Sequence, residues 1–472
     1  MTQPRAALSE AIPPPHRRIS LPEQTHSLLP ELLWLAVPVL AENILHMGVG
    51  WSDTYLASRL PDHAADATAS IGLVTYIIWL LGLIAGAIGT GSTAIIARAS
   101  GAKHQRLANS VCGQSVTAAV IAGLATTAMV ILFAVPLTRA TGLGPGNPAT
   151  VFSVYYLRVL GLSLPFMMLM LAANACLRGA GDSITPAVAM IAVDLVNIVV
   201  SFALTRGWFG LPVMGFRGIA IGTTAAYVSG GLIQFAVLVS GRGKIRLFLH
   251  RLRPHWTTMK RVMRIGIPNG AEGLVTWSAQ FMILGIIFHI DPSNVLSAAH
   301  IITIRIESLS FMTGLAVATA AATVVGQSLG MNDPRRAARA AHIAYALGGG
   351  AMCLGGVCFI LFRHPLSRAL SVDPNVAHVV ATCLFITAFA SPGFAATLVY
   401  GGALRGAGDT LVVMLINLAS IIGLRLVGVV FVTLFLHRGL EAVWMVLCIE
   451  LNLRGLFIFA RFLQGGWKNV KV

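Results

Sequence analysis

A carboxylate stranded in an apolar run is the side chain best able to do chemistry in this 472-residue chain, and Asp53 is one. The stretch MGVGWSDTYLA surrounds it with apolar and small residues and puts no base within a helical turn. A buried carboxylate without a cation takes up a proton or captures a metal ion. Asp194, Asn197 and Ser201 stand at i, i+3 and i+7, on one face of a helix. Thr223 in GIAIGTTAAY adds a hydroxyl. Carboxylate, amide and hydroxyl oxygens together suit a hard cation such as sodium. The same polar residues also tie helices together, and spacing alone leaves both readings open.

Other ionisable residues in apolar runs are Glu42, Glu272, Arg158, Arg305, Glu307, Arg425, Glu450 and Arg454. Glu450 and Arg454, four apart in the favourable order, read as a structural ion pair. Arg305 and Glu307 point to different faces of their helix, so each is expected to find a partner on a neighbouring one. His46 lies one turn from Glu42, but two ligands without a third make no metal site. The six cysteines, all in or at the end of apolar runs, read as packing residues. No cofactor is implied, and no nucleophile, base or metal constellation has the spacing of an enzyme.

The elements that must position these residues follow from composition. Apolar residues make up 56% of the chain and charged ones 11%, whereas a soluble domain carries about 25% charged residues. The apolar runs are long and do not alternate, so the chain reads as an all-α polytopic membrane protein. Twelve runs lie between positions 30 and 462, among them 150–177 and 376–403, six before a basic segment and six after it. The sequence LRGAGD at 177–182 returns letter for letter at 404–409. Pro38 answers Pro268, and Gly101 answers Gly330, at nearly the same offset. Landmarks repeated in order define a tandem duplication. An even number of spans per half makes the repeats parallel. The expected division is a cytosolic tail over 1–28, a six-helix lobe over 29–240, a basic cytosolic linker over 241–264, a second six-helix lobe over 265–462 and a cytosolic tail over 463–472.

With the N-terminus inside, interior segments hold 22 lysines and arginines and exterior ones 7, which puts both termini in the cytosol. The N-terminal tail carries Arg5, Arg17, Arg18 and a triple proline but no apolar core of a cleaved signal. The net charge of +16 then suits anionic lipid headgroups and requires no nucleic acid. Within the linker, RGKIRLFLHRLRPHW is expected to form a helix lying in the membrane interface.

The duplicated LRGAGD turn, PVLAENILHMGVGWSDT, GTGSTAIIARASGAKH, AAATVVGQSLGMNDPRRA and AAHIITIRIESLSFMTGLA together resemble the multidrug and toxic compound extrusion (MATE) family of the multidrug/oligosaccharidyl-lipid/polysaccharide exporter superfamily. The likeness runs from about position 30 to 462. It implies two six-helix lobes around a V-shaped cleft in the inner membrane, a monomer, and export of amphipathic, often cationic compounds by proton- or sodium-driven antiport. Residue by residue, Asp53 and Asn197 match the family's coupling-ion site, Thr223 looks like the threonine that joins it, and Asp53, Asn197 and Thr223 are where sodium would sit. Ser201 stands where many members carry a second aspartate; Asp194, one turn earlier, is the expected compensation. The acids some members place in spans seven and ten are not matched, so coupling is expected in the first lobe.

The repeat adds one relation of its own. At the offset of the paired prolines Glu42 maps to Glu272, while Asp53 maps to Ile283. The two glutamates either face each other across the cleft as a substrate or gate pair or make two separate helix-helix hydrogen bonds, with Met47, Trp51 and Met282 as substrate-lining residues. Other functions remain open from sequence. A flippase for lipid-linked saccharides would need cations in the cleft, for which Arg158, Arg305, Arg425 and Arg454 are the candidates; a channel would need a pore lining that one sequence does not reveal.

Overall fold

The computed structural model describes residues 28–139, 147–241, 243–291, 293, 295–371, 373–470 and 472; the tail expected over 1–28, apart from Leu28, lies outside the described residues. The chain is α1 (Leu28–Ser58), α2 (Ala64–Gly101), α3 (Gln105–Arg139), α4 (Pro148–Gly161), α5 (Leu164–Gly179), α6 (Ile184–Arg206) and α7 (Phe216–Ser240) in one lobe. The other holds α8 (Trp256–Ile290), α9 (Val295–Gly330), α10 (Pro334–Leu370), α11 (Pro374–Ala388), α12 (Ser391–Gly406), α13 (Thr410–Phe435) and α14 (Leu440–Gln464). Apolar runs become helices because lipid offers their backbone no hydrogen-bond partner. Among the described residues ten helices are long and apolar enough to span, and the bent pairs α4–α5 and α11–α12 bring the spans to twelve.

Those two pairs depart from the continuous spans expected over 150–177 and 376–403. They bend by 59° and 56°. Pro165 and Pro392, which share the offset of the two LRGAGD copies, sit in the first turn of each second half; a proline removes a backbone donor and disfavours helix before it. The repeated turn adopts the same backbone conformation in both lobes. Gly181 and Gly408 take φ of +86° and +91°, a conformation that favours glycine. Gly179 and Gly406 lie against the backbones of Thr93 on α2 and Ala322 on α9, where a methyl group would intrude.

Each lobe lends the start of its first helix to the other. Leu32, Leu35 and Ala36 of α1 pack with Val324 and Leu329 in the second lobe's core, and Val262 and Ile265 of α8 pack with Ala94 and Ile95 in the first lobe's. Close approaches of Gly101 to Gln327 and Gly330 to Arg98 press the lobes together at the same end. Arg336 bonds Glu31 at 2.5 Å across this junction.

The linker is not the expected interfacial helix. Ahead of Trp256, where α8 begins, its one described helical segment is the 3₁₀ turn Leu249–Leu252. The side chains of α3 hold it instead: Gln114 donates to the Arg251 and Arg253 carbonyls at 2.8 and 2.9 Å, and Thr117 to the Leu252 carbonyl at 2.8 Å. With its backbone satisfied by α3, and Ile245 and Leu247 buried in the first lobe, the segment has no reason to coil. In α13, π-helical turns run over Ser420–Leu426 and Phe431–Phe435. A π turn adds a residue and rotates the remainder of the helix.

Candidate functional site

Four helices of the first lobe converge on Asp53, which is 2% exposed. Its Oδ2 accepts hydrogen bonds from Tyr156 Oη at 2.7 Å and Thr223 Oγ1 at 2.5 Å, and its Oδ1 from Asn197 Nδ2 at 3.2 Å. Asn197 Nδ2 also lies 3.1 Å from Thr223 Oγ1 and 3.5 Å from Ser201 Oγ, while Ser52 donates to Asn197 Oδ1 at 2.5 Å. The site is thus one carboxylate, one amide and a set of hydroxyls, with no cation bonded to Asp53 among the described residues.

Local sequence explains the convergence. Gly222 on α7 packs so tightly against Ser201 of α6 that an added Cβ would come within 2.7 Å of the Ser201 backbone nitrogen. That approach carries Thr223 to Asn197. Gly48, a little over one turn before Asp53, leaves room on α1 for the Asp194 carboxylate. Asp194 itself is buried, and its Oδ1 has no hydrogen-bond partner. It belongs to the same wall of α6, but it does not bond Asp53.

Sequence reasoning missed Tyr156. It lies on α4, is 2% exposed, and also donates to Thr223 Oγ1 at 3.0 Å. A tyrosine in an apolar run carries no signal of its own, since such residues are common near membrane interfaces.

The glutamates expected to face each other are each engaged within their own lobe. Glu42 accepts from Arg178 at 2.8 Å and from Asn174 at 2.9 Å. Glu272 accepts from Arg405 at 2.5 Å and Asn417 at 2.6 Å. Both arginines come from the repeated turn, so the turn clasps the first helix of its lobe. Trp51 and Met282 are exposed, and Met47 is half-buried.

Glu450 and Arg454 do pair, at 3.1 Å, and the pair is larger than expected. Arg425, turned inward by the π-helical stretch of α13, places two nitrogens on Glu450 Oε2 at 2.9 and 2.6 Å. Ser420 donates to Glu450 Oε1 at 2.6 Å. Arg305 is exposed, and neither it nor Glu307 has the expected partner among the described residues.

The MatE family model matches this chain twice, over residues 38–203 and 268–431, once per lobe and over most of its length. The chain belongs to the MATE family. It is a membrane transporter rather than an enzyme, and a secondary transporter of small amphipathic molecules. The probable multidrug resistance protein NorM of Thermotoga maritima is 28% identical over 95% of both chains. The multidrug resistance protein PmpM of Pseudomonas aeruginosa is 27% identical over 84% of this chain and 82% of its own. Among solved structures, a MOP-superfamily transporter from Pyrococcus furiosus, described as having a binding pocket of reverse polarity, superposes with a TM-score of 0.85 at 18% identity, covering 94% of this chain and 97% of that one. An outward-facing MATE transporter gives the same TM-score at 19% identity over the same shares. At that identity the likeness concerns the fold.

Proposed function

We propose that this chain is an antiporter that exports small amphipathic cations in exchange for protons, with Asp53 as the coupling carboxylate. The observation that carries this reading is a buried carboxylate whose recorded partners are three neutral donors. Such a group holds its charge through hydrogen bonds alone and can be neutralised by one proton. Sodium fits less well. Ser201 stands at the position of a second carboxylate, so the hydrogen-bonded cluster itself holds a single negative charge with Asp194 standing outside it, and both Asp53 oxygens already accept bonds. The substrate class follows the relatives named for multidrug resistance.

Proton uptake would rearrange the cluster. A protonated Asp53 Oδ2 becomes a donor. Thr223 Oγ1 also lies 3.2 Å from the Ile219 carbonyl, so it can turn its hydrogen there and accept instead. Tyr156 then keeps only Thr223 as a target. The tie between α1, α4 and α7 changes with each proton, and linkage requires proton and cargo to oppose each other's binding. Asp194, buried on the neighbouring turn of α6, supplies the second acid that Ser201 lacks. With the junction of the lobes on the cytosolic side, as the placement of charge favours, the cleft opens outward. Glu42 and Glu272, clasped by Arg178 and Arg405, serve as its inner gate.

A flippase is less well supported because two of its four candidate cations, Arg425 and Arg454, are buried on Glu450, which leaves Arg158 and Arg305 exposed for a pyrophosphate. The test is uptake of a fluorescent cation into inverted vesicles under an imposed proton or sodium gradient. Proton-driven uptake that vanishes in Asp53→Asn is expected. Uptake that follows sodium alone, or that survives the substitution, overturns the reading, and movement of a labelled lipid-linked sugar would favour the flippase.

A further inference from the structure

One face of α9 carries His300, Thr303, Glu307 and Ser310 at i, i+3, i+7 and i+10, a polar line through an otherwise apolar helix. Thr303 donates to the Ala299 carbonyl at 2.8 Å, but partners are missing on both sides of it. His300 is 1% exposed, yet neither ring nitrogen has a hydrogen-bond partner. The Trp444 ring lies 5.5 Å from it, centre to centre, and the indole nitrogen is also without a partner. Ser310 Oγ, against Gly355 of α10, is unpartnered as well. Between them Glu307 is half-buried and has neither a hydrogen bond nor an ion pair among the described residues. A buried polar atom left unpaired forfeits its hydration without return. Several along one face suit bound water, over the about 10 Å that separates His300 from Glu307.

We infer that Glu307 is a second proton-binding carboxylate, in the lobe opposite Asp53, reached through water along His300 and Thr303. The single-lobe expectation considered acids on spans seven and ten, whereas Glu307 stands on span eight. Its counterpart in the first repeat, at the offset that pairs Gly101 with Gly330, is Ile78, so this acid, like Asp53, breaks the repeat. The groups around it suit a proton that must be both loaded and released. Its neighbour Ile306 packs in one core with Leu426 of α13, next to Arg425. That guanidinium is already committed to Glu450 of α14, which Arg454 also binds. The two arginines exceed the one glutamate by a charge, and an ionised Glu307 balances them. On the other packed elements, α8 brings Ile283 and Ile287 to this core, α11 brings Cys383, and α10 carries Cys353 and Cys358 on either side of Gly355. Among the described residues none of these adds a fixed charge.

The inference rests on the antiport reading for its use but not for its detection. Infrared difference spectra of the purified full-length protein, taken between about pH 8 and about pH 5, report protonated carboxyl groups by their carbonyl stretch. Glu307→Gln is expected to lose one such band that Asp53→Asn retains, and Asp53→Asn to lose a different one. Glu307→Asp should keep a band at a shifted frequency, which shows that the lost band reports this side chain rather than misfolding. His300→Ala should move the pH midpoint of the Glu307 band alone. A Glu307→Gln spectrum identical to the parent's overturns the inference, whatever the Asp53 band does. Loss of the Asp53 band without proton-driven transport would count against the antiport reading instead.

Discussion

In the first lobe Asp53, Tyr156, Asn197 and Thr223 meet without a cation. At the offset of the LRGAGD copies the counterparts of Tyr156, Asn197 and Thr223 are Cys383, Leu424 and Glu450, with Arg425 next to Leu424, and at the offset of the paired prolines Asp53 maps to Ile283. There the carboxylate is clasped by Arg425 and Arg454, and an isoleucine replaces the aspartate. The same scaffold therefore holds a carboxylate bonded only by neutral donors on one side and one bound by two guanidiniums on the other. A carboxylate locked by two guanidiniums has no reason to exchange its proton, whereas one held by hydroxyls and an amide can. Duplication supplied the helices, and later differences in charge divided the labour between coupling and support.

The largest effect should come from breaking the first site. Asp53→Asn is expected to reduce proton-driven transport to background while changing stability by only about 1 kcal/mol, since asparagine can still accept and donate. Vesicle uptake and a thermal melt in detergent, on the same preparation, check both halves. The mirror experiment removes Arg425. Arg425→Met leaves Glu450 with one cation in a buried site, and such losses cost about 3–5 kcal/mol. A melt as high as the parent's would mean that the second-lobe cluster is not a support at all.

Helix packing separates the lobes a third way. Gly222 lets α7 touch Ser201, whereas its counterpart in the second repeat is Ile449, largely exposed. Gly222→Ala should cost about 1–3 kcal/mol by overpacking and should uncouple transport, because Thr223 moves off Asp53. Ile449→Ala, measured by the same melt and the same uptake assay, should leave coupling intact.

How far the molecule is legible in its sequence depends on how each residue announces itself. Asp53 stands out because charge is rare in apolar runs, and Asn197 and Thr223 because their helices can be placed. Tyr156 has no such contrast with its surroundings, and its role depends on a contact with a distant part of the chain. The Glu450–Arg454 pair follows from helical spacing, but Arg425 joins it only because π turns rotate α13, which no hydrophobic pattern encodes. The bends at Pro165 and Pro392 are written in the sequence. Hydropathy hides them, since both halves of each broken span are apolar. The linker misleads for the opposite reason: its basic and apolar residues suggest a helix, while the side chains that hold it lie on α3.

The smallest effects concern a feature both lobes share, the glutamate bound by the turn arginine, and even here the copies differ. Both Glu42 oxygens are bonded, and Asn174 is braced in turn by Gln234 at 2.7 Å. Glu272 Oε2 has no partner. Glu42→Gln should therefore cost about 1–2 kcal/mol and Glu272→Gln less than about 1 kcal/mol, within the range for charged hydrogen bonds at partly buried sites. The double variant then decides how the glutamates relate. If each acts only through its own arginine, the two costs add to within about 0.5 kcal/mol. A larger deviation in the melt would mean that the carboxylates sense each other across the cleft. Unchanged transport of a cationic dye by the double variant would remove them from the gate, leaving two clasps that keep the first helix of each lobe on its turn.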